Sequence, residues 1–280
     1  SPLLQSVQRG HFYKNNFQMK ILVTGVTGFV GRHLLNKLDK YEVSVLSRKK
    51  SPIKGANLFI GGLFDKKILL EASKVDVVIH LAGISDGDVF KINYEGTKNL
   101  VDACVKNKIK RFIFISSYDA ILDTNYGKSK LKAEEYIKNS GLEYLIFRPT
   151  VIYSRENKKD IGRLIRLAKL GIVPIPGDGN FKLQPLFVDD IVDLIVKAIK
   201  GKHKNKIYFV GGGSALSFNE IIKIISNNLR KNVVKINIPR FLIKLKNKSL
   251  LQDKVCSNND VERDFDFCAK SFEDGMNLIS

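Results

Sequence analysis

The chain has 280 residues and carries 47 Lys and Arg against 28 Asp and Glu, a formal charge of +19. Its 44% apolar and 27% charged residues are ordinary globular composition and exclude wholesale disorder. No uncharged apolar run reaches the ~18–20 residues of a membrane span. At this length one large α/β domain, or one domain with a small appended lobe, is expected, and the chain can bury roughly 75% of its unfolded surface without disulfide staples. Its three cysteines, Cys104, Cys256 and Cys268, are far apart. They offer neither a zinc spacing nor a disulfide framework, which points to a reducing, cytoplasmic setting.

The basic charge is mostly lysine, 36 Lys to 11 Arg. An anionic partner would explain it: nucleic acid, a membrane surface or a phosphorylated ligand. The favoured reading is blander. The lysines are spread along the chain, and the clusters at 106–111 and 200–206 fall between predicted elements, where solvated charge is normal. Nucleic acid is therefore not an expected partner, although such a field would assist capture of a small anion.

Residues 1–18 are polar and aperiodic and read as a tag remnant or loose extension. They lack the apolar core of a secretory signal. From Met19 strands and helices alternate. Strands are expected at 20–24, 42–46, 57–60, 76–81, 111–115 and 143–147. Helices are expected at 29–38, 65–72, 91–107 and 126–139. Continuous apolar strands separated by helices signal a parallel sheet covered on both faces, and right-handed crossovers make it doubly wound, Rossmann-type. After Pro149 the rhythm changes. A helix is expected at 160–170, a Pro/Gly loop at 173–179, a helix at 189–199 opened by Asp189 or Asp190, and a strand at 206–210. Ser217 and Glu220 form a capping-box pattern before a helix at 218–229. The remainder to Ser280 has no clear pattern. The expected organisation is a dinucleotide-binding domain over 19–155 and a smaller C-terminal α/β substrate lobe over 156–280, with a segment around 186–212 returning to the sheet.

The strongest local signal is Thr24-Gly-Val-Thr-Gly-Phe-Val-Gly31. It follows the first strand and opens the first helix, the context a dinucleotide-binding loop requires. Gly25, Gly28 and Gly31 permit the tight turn, the approach of a pyrophosphate and close helix–strand packing. Thr27, Phe29 and Val30 supply neighbouring N–H groups at the helix start. NAD sites usually carry Asp or Glu at the end of the second strand. Here that end reads Leu46-Ser-Arg-Lys-Lys50. Ser47 and Arg48, helped by Arg32, could receive a 2′-phosphate, so NADP(H) is favoured and NAD(H) remains open.

Tyr126-Gly-Lys-Ser-Lys130 puts a tyrosine and a lysine on one helical face. A tyrosine is a poor acid–base at neutral pH, and a nearby ammonium favours its phenolate. Ser116 and Ser117 end the fifth strand, on the ligand-binding side of the sheet. The Tyr/Lys pattern alone is common on amphipathic helices. Behind a glycine loop and a strand ending in Ser-Ser it becomes the favoured catalytic set.

With these pieces on the page, the sequence resembles the extended short-chain dehydrogenase/reductase family of sugar-nucleotide epimerases, dehydratases and 4-keto reductases. The resemblance runs from Met19 nearly to the C-terminus. It also rests on His80-Leu-Ala-Gly83, Asn93-Tyr-Glu-Gly-Thr97, Phe147-Arg-Pro-Thr-Val-Ile-Tyr153, Gly177-Asp-Gly179 and Phe187-Val-Asp-Asp190. It implies Tyr126 as acid–base, Lys130 as its modulator and ribose ligand, and Ser117 as ligand of the reacting oxygen. It implies a cofactor lined by Leu63, Leu81, Ala82, Gly83, Ile115, Pro149 and Val151. A nucleotide-sugar substrate would lie near Ser85, Ser117 and Gln184. By analogy, two chains would pair into a homodimer through helices of the sheet domain. Three departures stand out. Gly62 replaces an acid before Leu63. Leu183 stands about where many members carry an arginine. Asp119 stands at a dehydratase acid position, but Tyr118 replaces the second acid. His80 is expected to be buried and hydrogen-bonded, His33 simply to sit on the first helix, and Asp189 and Asp190 to cap rather than bind metal.

These observations leave three functions open. The first is an NADP(H)-using 4-keto reductase of a nucleotide sugar. The second is a 4-epimerase with retained NAD. The third is a catalytically silent, nucleotide-bound accessory or RNA-binding subunit, against which the Ser117, Tyr126 and Lys130 set argues.

Overall fold

The computed structural model describes residues 19–50, 53–156, 159–241 and 251–279. The expectation for 1–18 lies outside them. Apolar strands with both faces covered build the centre. In chain order these are β1 (Lys20–Thr24), β2 (Glu42–Ser47), β3 (Ala56–Ile60), β4 (Val77–His80), β5 (Arg111–Ile115) and β6 (Tyr144–Pro149). Strands β7 (Ile152–Tyr153), β8 (Ile172–Pro176), β9 (Lys182–Leu183) and β10 (Leu186–Phe187) follow, then β11 (Lys206–Val210), β12 (Leu216–Ser217) and β13 (Val234–Ile238). Seven of these form one parallel sheet in the order β11-β6-β5-β4-β1-β2-β3. This is the doubly wound sheet expected from the sequence. Strand alternation explains why its runs are apolar throughout. Ile21 and Val23 face one core layer and Leu22 the other, and all three are fully buried.

Helices cover both faces: α1 (Phe29–Leu35), α2 (Lys66–Ala72), α3 (Gly96–Lys106), α4 (Asn125–Lys138), α5 (Asp160–Lys169), α6 (Val188–Lys200) and α7 (Phe218–Asn228). Chain order reverses between β1 and β4. The loops after these two strands therefore diverge and open a crevice at the carboxyl ends. The capping box of Ser217 and Glu220 opens α7 as its sequence pattern requires.

Four local expectations are corrected. The segment 173–179 is not all loop, because β8 pairs in parallel with β13 and buries Val173 and Ile175. Its prolines at alternate positions are tolerated because a two-stranded ribbon uses only alternate N–H groups of each strand. The expected helix 91–107 begins as a π-turn, Phe90–Glu95. There the Asn93 side chain is buried and bonds outward to the loop after β4. Asp189 and Asp190 do not cap α6. Asp189 faces His33 at 2.9 Å, while Asp190 accepts from the Lys270 amide at 2.9 Å and from its ammonium at 2.5 Å. His33 is likewise no bystander, with Glu156 at 3.0 Å from its other ring nitrogen. The C-terminal region left unassigned by the sequence forms the short helices Asn259–Phe265 and Phe272–Asn277.

Candidate active site

The loop after β1 is shaped by absent side chains. Gly25 has φ +78°, and a Cβ there would lie 2.5 Å from the Ala82 nitrogen and 2.6 Å from the Leu81 carbonyl carbon. A Cβ on Gly31 would meet the Gly25 oxygen at 2.5 Å. The β1 and β4 loops thus touch backbone to backbone, which no larger residue allows. The Gly28 amide donates to the Gly25 oxygen at 3.0 Å, and Gly28 is the N-cap of α1. Thr27 is exposed and Phe29 and Val30 half-buried, so this turn faces the crevice. Arg32 folds back and donates to the Thr27 carbonyl at 2.8 Å. At the end of β2 the Ser47 hydroxyl accepts from the Lys49 amide at 3.1 Å, leaving its own proton to donate. The Arg48 stem lies 3.6–3.7 Å from where a Gly62 side chain would begin, so the acid absent at 62 leaves room that Arg48 occupies.

His80 locks this half together. It is fully buried between the Thr24 and Thr97 hydroxyls, at 2.6 and 2.9 Å. The Thr97 hydroxyl donates to the Asn93 carbonyl at 2.6 Å, so it accepts from His80 Nε2–H. Thr24 therefore donates to Nδ1, and its oxygen accepts the Ala82 amide at 3.3 Å. Burial, aided by the Lys130 charge, pushes His80 down to about 3 and keeps it neutral.

The catalytic candidates converge across the carboxyl ends of β5 and β4. Thr124 caps α4 by accepting from the Gly127 amide at 2.9 Å, and the helix presents Tyr126 and Lys130 one turn apart. Tyr126 is half-buried and hydrogen-bonded to the Ser117 hydroxyl. Burial pushes its phenol up to about 12, opposed by the Ser117 bond and reinforced by Asp119 and Asp160. Lys130 is buried, donates to the Ile115 carbonyl at 2.9 Å and lies 4.5 Å over the Phe114 ring. Burial lowers it to about 8, with Glu134 pulling the other way. Behind it, buried Glu134 accepts a bidentate Arg148 guanidinium, at 3.0 Å from Nε and 2.5 Å from Nη2, and the Ser116 hydroxyl.

Two halves of one crevice result. Gly83 abuts both Asn93 Oδ1 and Lys130 Nζ, at 3.0 and 3.5 Å from the position of a Cβ. Leu81 and Ala82 line the side nearer β1, and buried Ile115 and Pro149 end β5 and β6, with half-buried Val151 beyond. Leu63 is fixed from behind, its carbonyl accepting from Asn99 at 3.0 Å. Two proposed substrate contacts differ in kind. Ser85 is exposed and accepts from Lys159 at 3.0 Å. Gln184 is buried and its amide is already engaged, accepting from the Cys256 amide at 2.9 Å and donating to the Gly212 carbonyl at 2.8 Å. That places it among the groups that hold the lobe together. Among the described residues no group of three or more His, Cys, Asp or Glu side chains could hold a metal, and no helix is long and apolar enough to cross a membrane.

Sequence reasoning assigned no role to Asn93, Ser129, Glu134 or Lys254. Asn93 bonds both polar groups of the Ile84 backbone at 2.9 Å and the Ser129 hydroxyl at 3.0 Å. Ser129 in turn donates to the Tyr126 carbonyl at 2.7 Å. An asparagine in an otherwise helical run was the available signal.

The glycine cradle, the free turn at the start of α1 and the buried lysine fit a bound dinucleotide. The family model described as the NAD dependent epimerase/dehydratase family matches residues 21–211. The chain is 29% identical over 266 residues to the UDP-glucose 4-epimerase of Vibrio cholerae, covering 80% of each protein. It is 29% identical over 205 residues to the UDP-2-acetamido-2,6-beta-L-arabino-hexul-4-ose reductase of Pseudomonas aeruginosa, covering 68% of this chain and 52% of that protein. The Thermus thermophilus UDP-glucose 4-epimerase structure in complex with NAD aligns with a TM-score of 0.79 at 22% identity, over 93% of this chain and 97% of that one. That last likeness is one of fold.

Proposed function

Because the chain belongs to the NAD-dependent epimerase/dehydratase family, we propose that it is a nucleotide-sugar oxidoreductase that reduces a 4-keto group with NADP(H), Tyr126 giving the proton. The observation that carries this reading is Tyr126 itself. It is half-buried, bonded to Ser117, and held protonated up to about 12, so at rest it is a proton donor. A carbonyl oxygen bonded by Ser117 and Tyr126 would gain its proton from the phenol. The Lys130 ammonium steadies the phenolate that is left. Nicotinamide, when bound, supplies the hydride acceptor or donor. The turn of Gly25, Thr27, Gly28, Phe29, Val30 and Gly31 would hold its pyrophosphate against the start of α1, where the Gly28 amide is already bonded to the Gly25 carbonyl. Ser47, Arg48 and Arg32 would hold a 2′-phosphate, which the missing acids at the end of β2 and at Gly62 favour. Leu63, Leu81–Gly83, Ile115, Pro149 and Val151 would line the rest. Ser85 and Ser117 remain the proposed substrate contacts.

In this reading residues 19–155, joined by the return through 186–212, form the dinucleotide domain and the rest covers the sugar nucleotide. Two chains would pair through helices of the sheet domain, and the free Cys104, Cys256 and Cys268 suit a reducing cytoplasm.

A 4-epimerase with retained NAD is the second reading, favoured by the Vibrio cholerae relative, which matches over four-fifths of both chains. One experiment separates the two. The nucleotide released on denaturing the purified protein is identified by mass spectrometry, and NAD(H) and NADP(H) are titrated onto the stripped protein. Exchangeable NADP(H), with NADPH-dependent reduction of a 4-keto nucleotide sugar lost in Tyr126→Phe, is the expected result. Tightly held NAD would move the conclusion to the epimerase and remove the role given to Arg48. A folded protein that takes up neither nucleotide would end both readings.

A further inference from the structure

The turn that follows Ser117 is clamped from outside the sheet. The Asp119 amide donates to Ser117 Oγ at 3.1 Å. That bond occupies an acceptor lobe of the serine and leaves its O–H proton for Tyr126. Asp119 therefore reaches the phenol twice, through its amide by way of Ser117 and through its carboxylate charge. Gly127, in the first turn of α4, is pressed against the same turn. A Cβ there would lie 2.0 Å from the Asp119 carbonyl oxygen.

The outer side of the turn is held by residues 253–256, in the region the sequence left unassigned. Lys254 Nζ lies 2.6 Å from Asp119 Oδ1, with both side chains less than one-fifth exposed. Next to it the Val255 amide donates to the Tyr118 hydroxyl oxygen. The segment is itself pinned. The Lys254 amide donates to the Lys182 carbonyl at 2.8 Å, the Lys182 amide to Asp253 at 2.7 Å, and the Cys256 amide to Gln184 at 2.9 Å. A long, flexible lysine is thereby delivered to a fixed point beside the site.

From this geometry we propose that Lys254 is a positioning residue of the active site, which fixes the Asp119 turn that aims Ser117 and cancels the negative charge that Asp119 places beside Tyr126. The inference rests on Tyr126 being the acid–base of the proposed reaction. The charges that act on the phenol are the carboxylates of Asp119 after β5 and Asp160 at the start of α5. Lys130 lies one turn along its own helix, and Lys254 from the C-terminal segment pairs with Asp119 and, with Lys159, also acts on Asp160. Lys254 stands at hydrogen-bond distance from the Asp119 carboxylate. Removing that cation raises the cost of a phenolate, and removing Asp119 lowers it.

The test follows Tyr126 directly. The full chain is labelled with [ζ-13C]tyrosine, and the Tyr126 signal is assigned by its loss in Tyr126→Phe. Its titration is recorded with and without NADP+ in four proteins: unaltered, Lys254→Met, Asp119→Asn and the double variant. The midpoint is expected to rise by about half a pH unit or more in Lys254→Met and to fall in Asp119→Asn. In the double variant it should return close to the unaltered value, and Lys254→Arg should restore it. In turnover the same variants should shift the pH profile and kcat while leaving KM nearly unchanged. Midpoints that coincide in all four proteins would overturn the proposal, even where Lys254→Met lowers thermal stability, because the near-isosteric Asp119→Asn keeps the comparison in a folded protein. This readout needs no turnover. Failure of the enzyme reading shows separately, as absent nucleotide binding or as activity that survives Tyr126→Phe.

Discussion

The two halves of the crevice are built by different forces. The half around β1 and β4 is close-packed and uncharged inside, with Arg32 and Arg48 at its rim. Gly25 and Gly31 fit against backbone atoms, and His80 is an uncharged strut between two threonine hydroxyls. The half around β5 and α4 is charged. Arg148 pairs with Glu134, Lys130 is buried above Phe114, and Lys254 pairs with Asp119. A surface that receives a cofactor by shape benefits from rigidity and has no need of titration. A surface that moves a proton needs neighbouring charges, and must then hold each of them with a partner. The fold of the second half should therefore answer mainly to pH, and that of the first to steric substitution, while salt should also weaken the hold of Arg32 and Arg48 on any phosphate at the rim.

Breaking the Arg148 and Glu134 pair should give the largest effect. Glu134 is almost fully buried, and Arg148→Met leaves its carboxylate with the Ser116 hydroxyl but without its counter-charge. A loss of about 3–5 kcal/mol is expected in urea unfolding. Replacing both residues by apolar ones of similar volume should recover most of it. If the single variant is nearly neutral, the charged half is not held by this pair. Next comes Gly25→Ala, which places a methyl about 2.5 Å from the Ala82 nitrogen at a positive φ. It should cost about 2–4 kcal/mol and abolish nucleotide binding in calorimetry. Added salt should not rescue it, since no charge is involved.

His80 sharpens the contrast, because it is a titratable group in the neutral half. Its folded value is depressed to about 3 from 6.5, so the unfolded chain takes up the proton first. Stability from this group is complete above about pH 6.5 and is lost as pH falls towards 3. At pH 5.5 the loss is about 1.4 kcal/mol relative to pH 8. In His80→Gln that portion of the acid slope should vanish in denaturation curves taken between pH 5 and 7, although the variant starts from lower stability.

The neutral half was largely legible in the sequence and the charged half only in part. Gly25, Gly28 and Gly31 follow from local spacing, because a tight turn between strand and helix demands them within a few residues. Tyr126 and Lys130 also follow from spacing, one helical turn apart. Glu134 continues that same face, but its purpose lies in Arg148, 14 residues on in a different element, and no local pattern shows the pair. Lys254 lies 135 residues beyond Asp119 and is brought to it by bonds to Lys182 and Gln184. The misread loop at 173–179 fails for a related reason. Its prolines argue against a strand, and only β13, some sixty residues later, supplies the partner that makes one. The resemblance implies Gln184 as a substrate contact, and no local pattern shows that its amide is bonded to the Cys256 and Gly212 backbone.

The smallest effect probes how the charged half works rather than whether it folds. Lys130 is lowered to about 8 by burial, while Tyr126 stays protonated up to about 12. As pH rises, the lysine therefore loses its proton long before the tyrosine does. In the proposed reduction a neutral lysine would no longer steady the phenolate left when Tyr126 gives up its proton, so the alkaline limb is expected to belong to Lys130. At pH 8.5 the protonated fraction is about one-quarter, and kcat/KM should stand about fourfold below its plateau near pH 7. Glu134→Gln removes a charge that favours the ammonium and should move the limb to lower pH. Lys130→Met should lower the plateau and remove the limb. A limb that persists in Lys130→Met would assign it to another group and separate the lysine from the proton transfer.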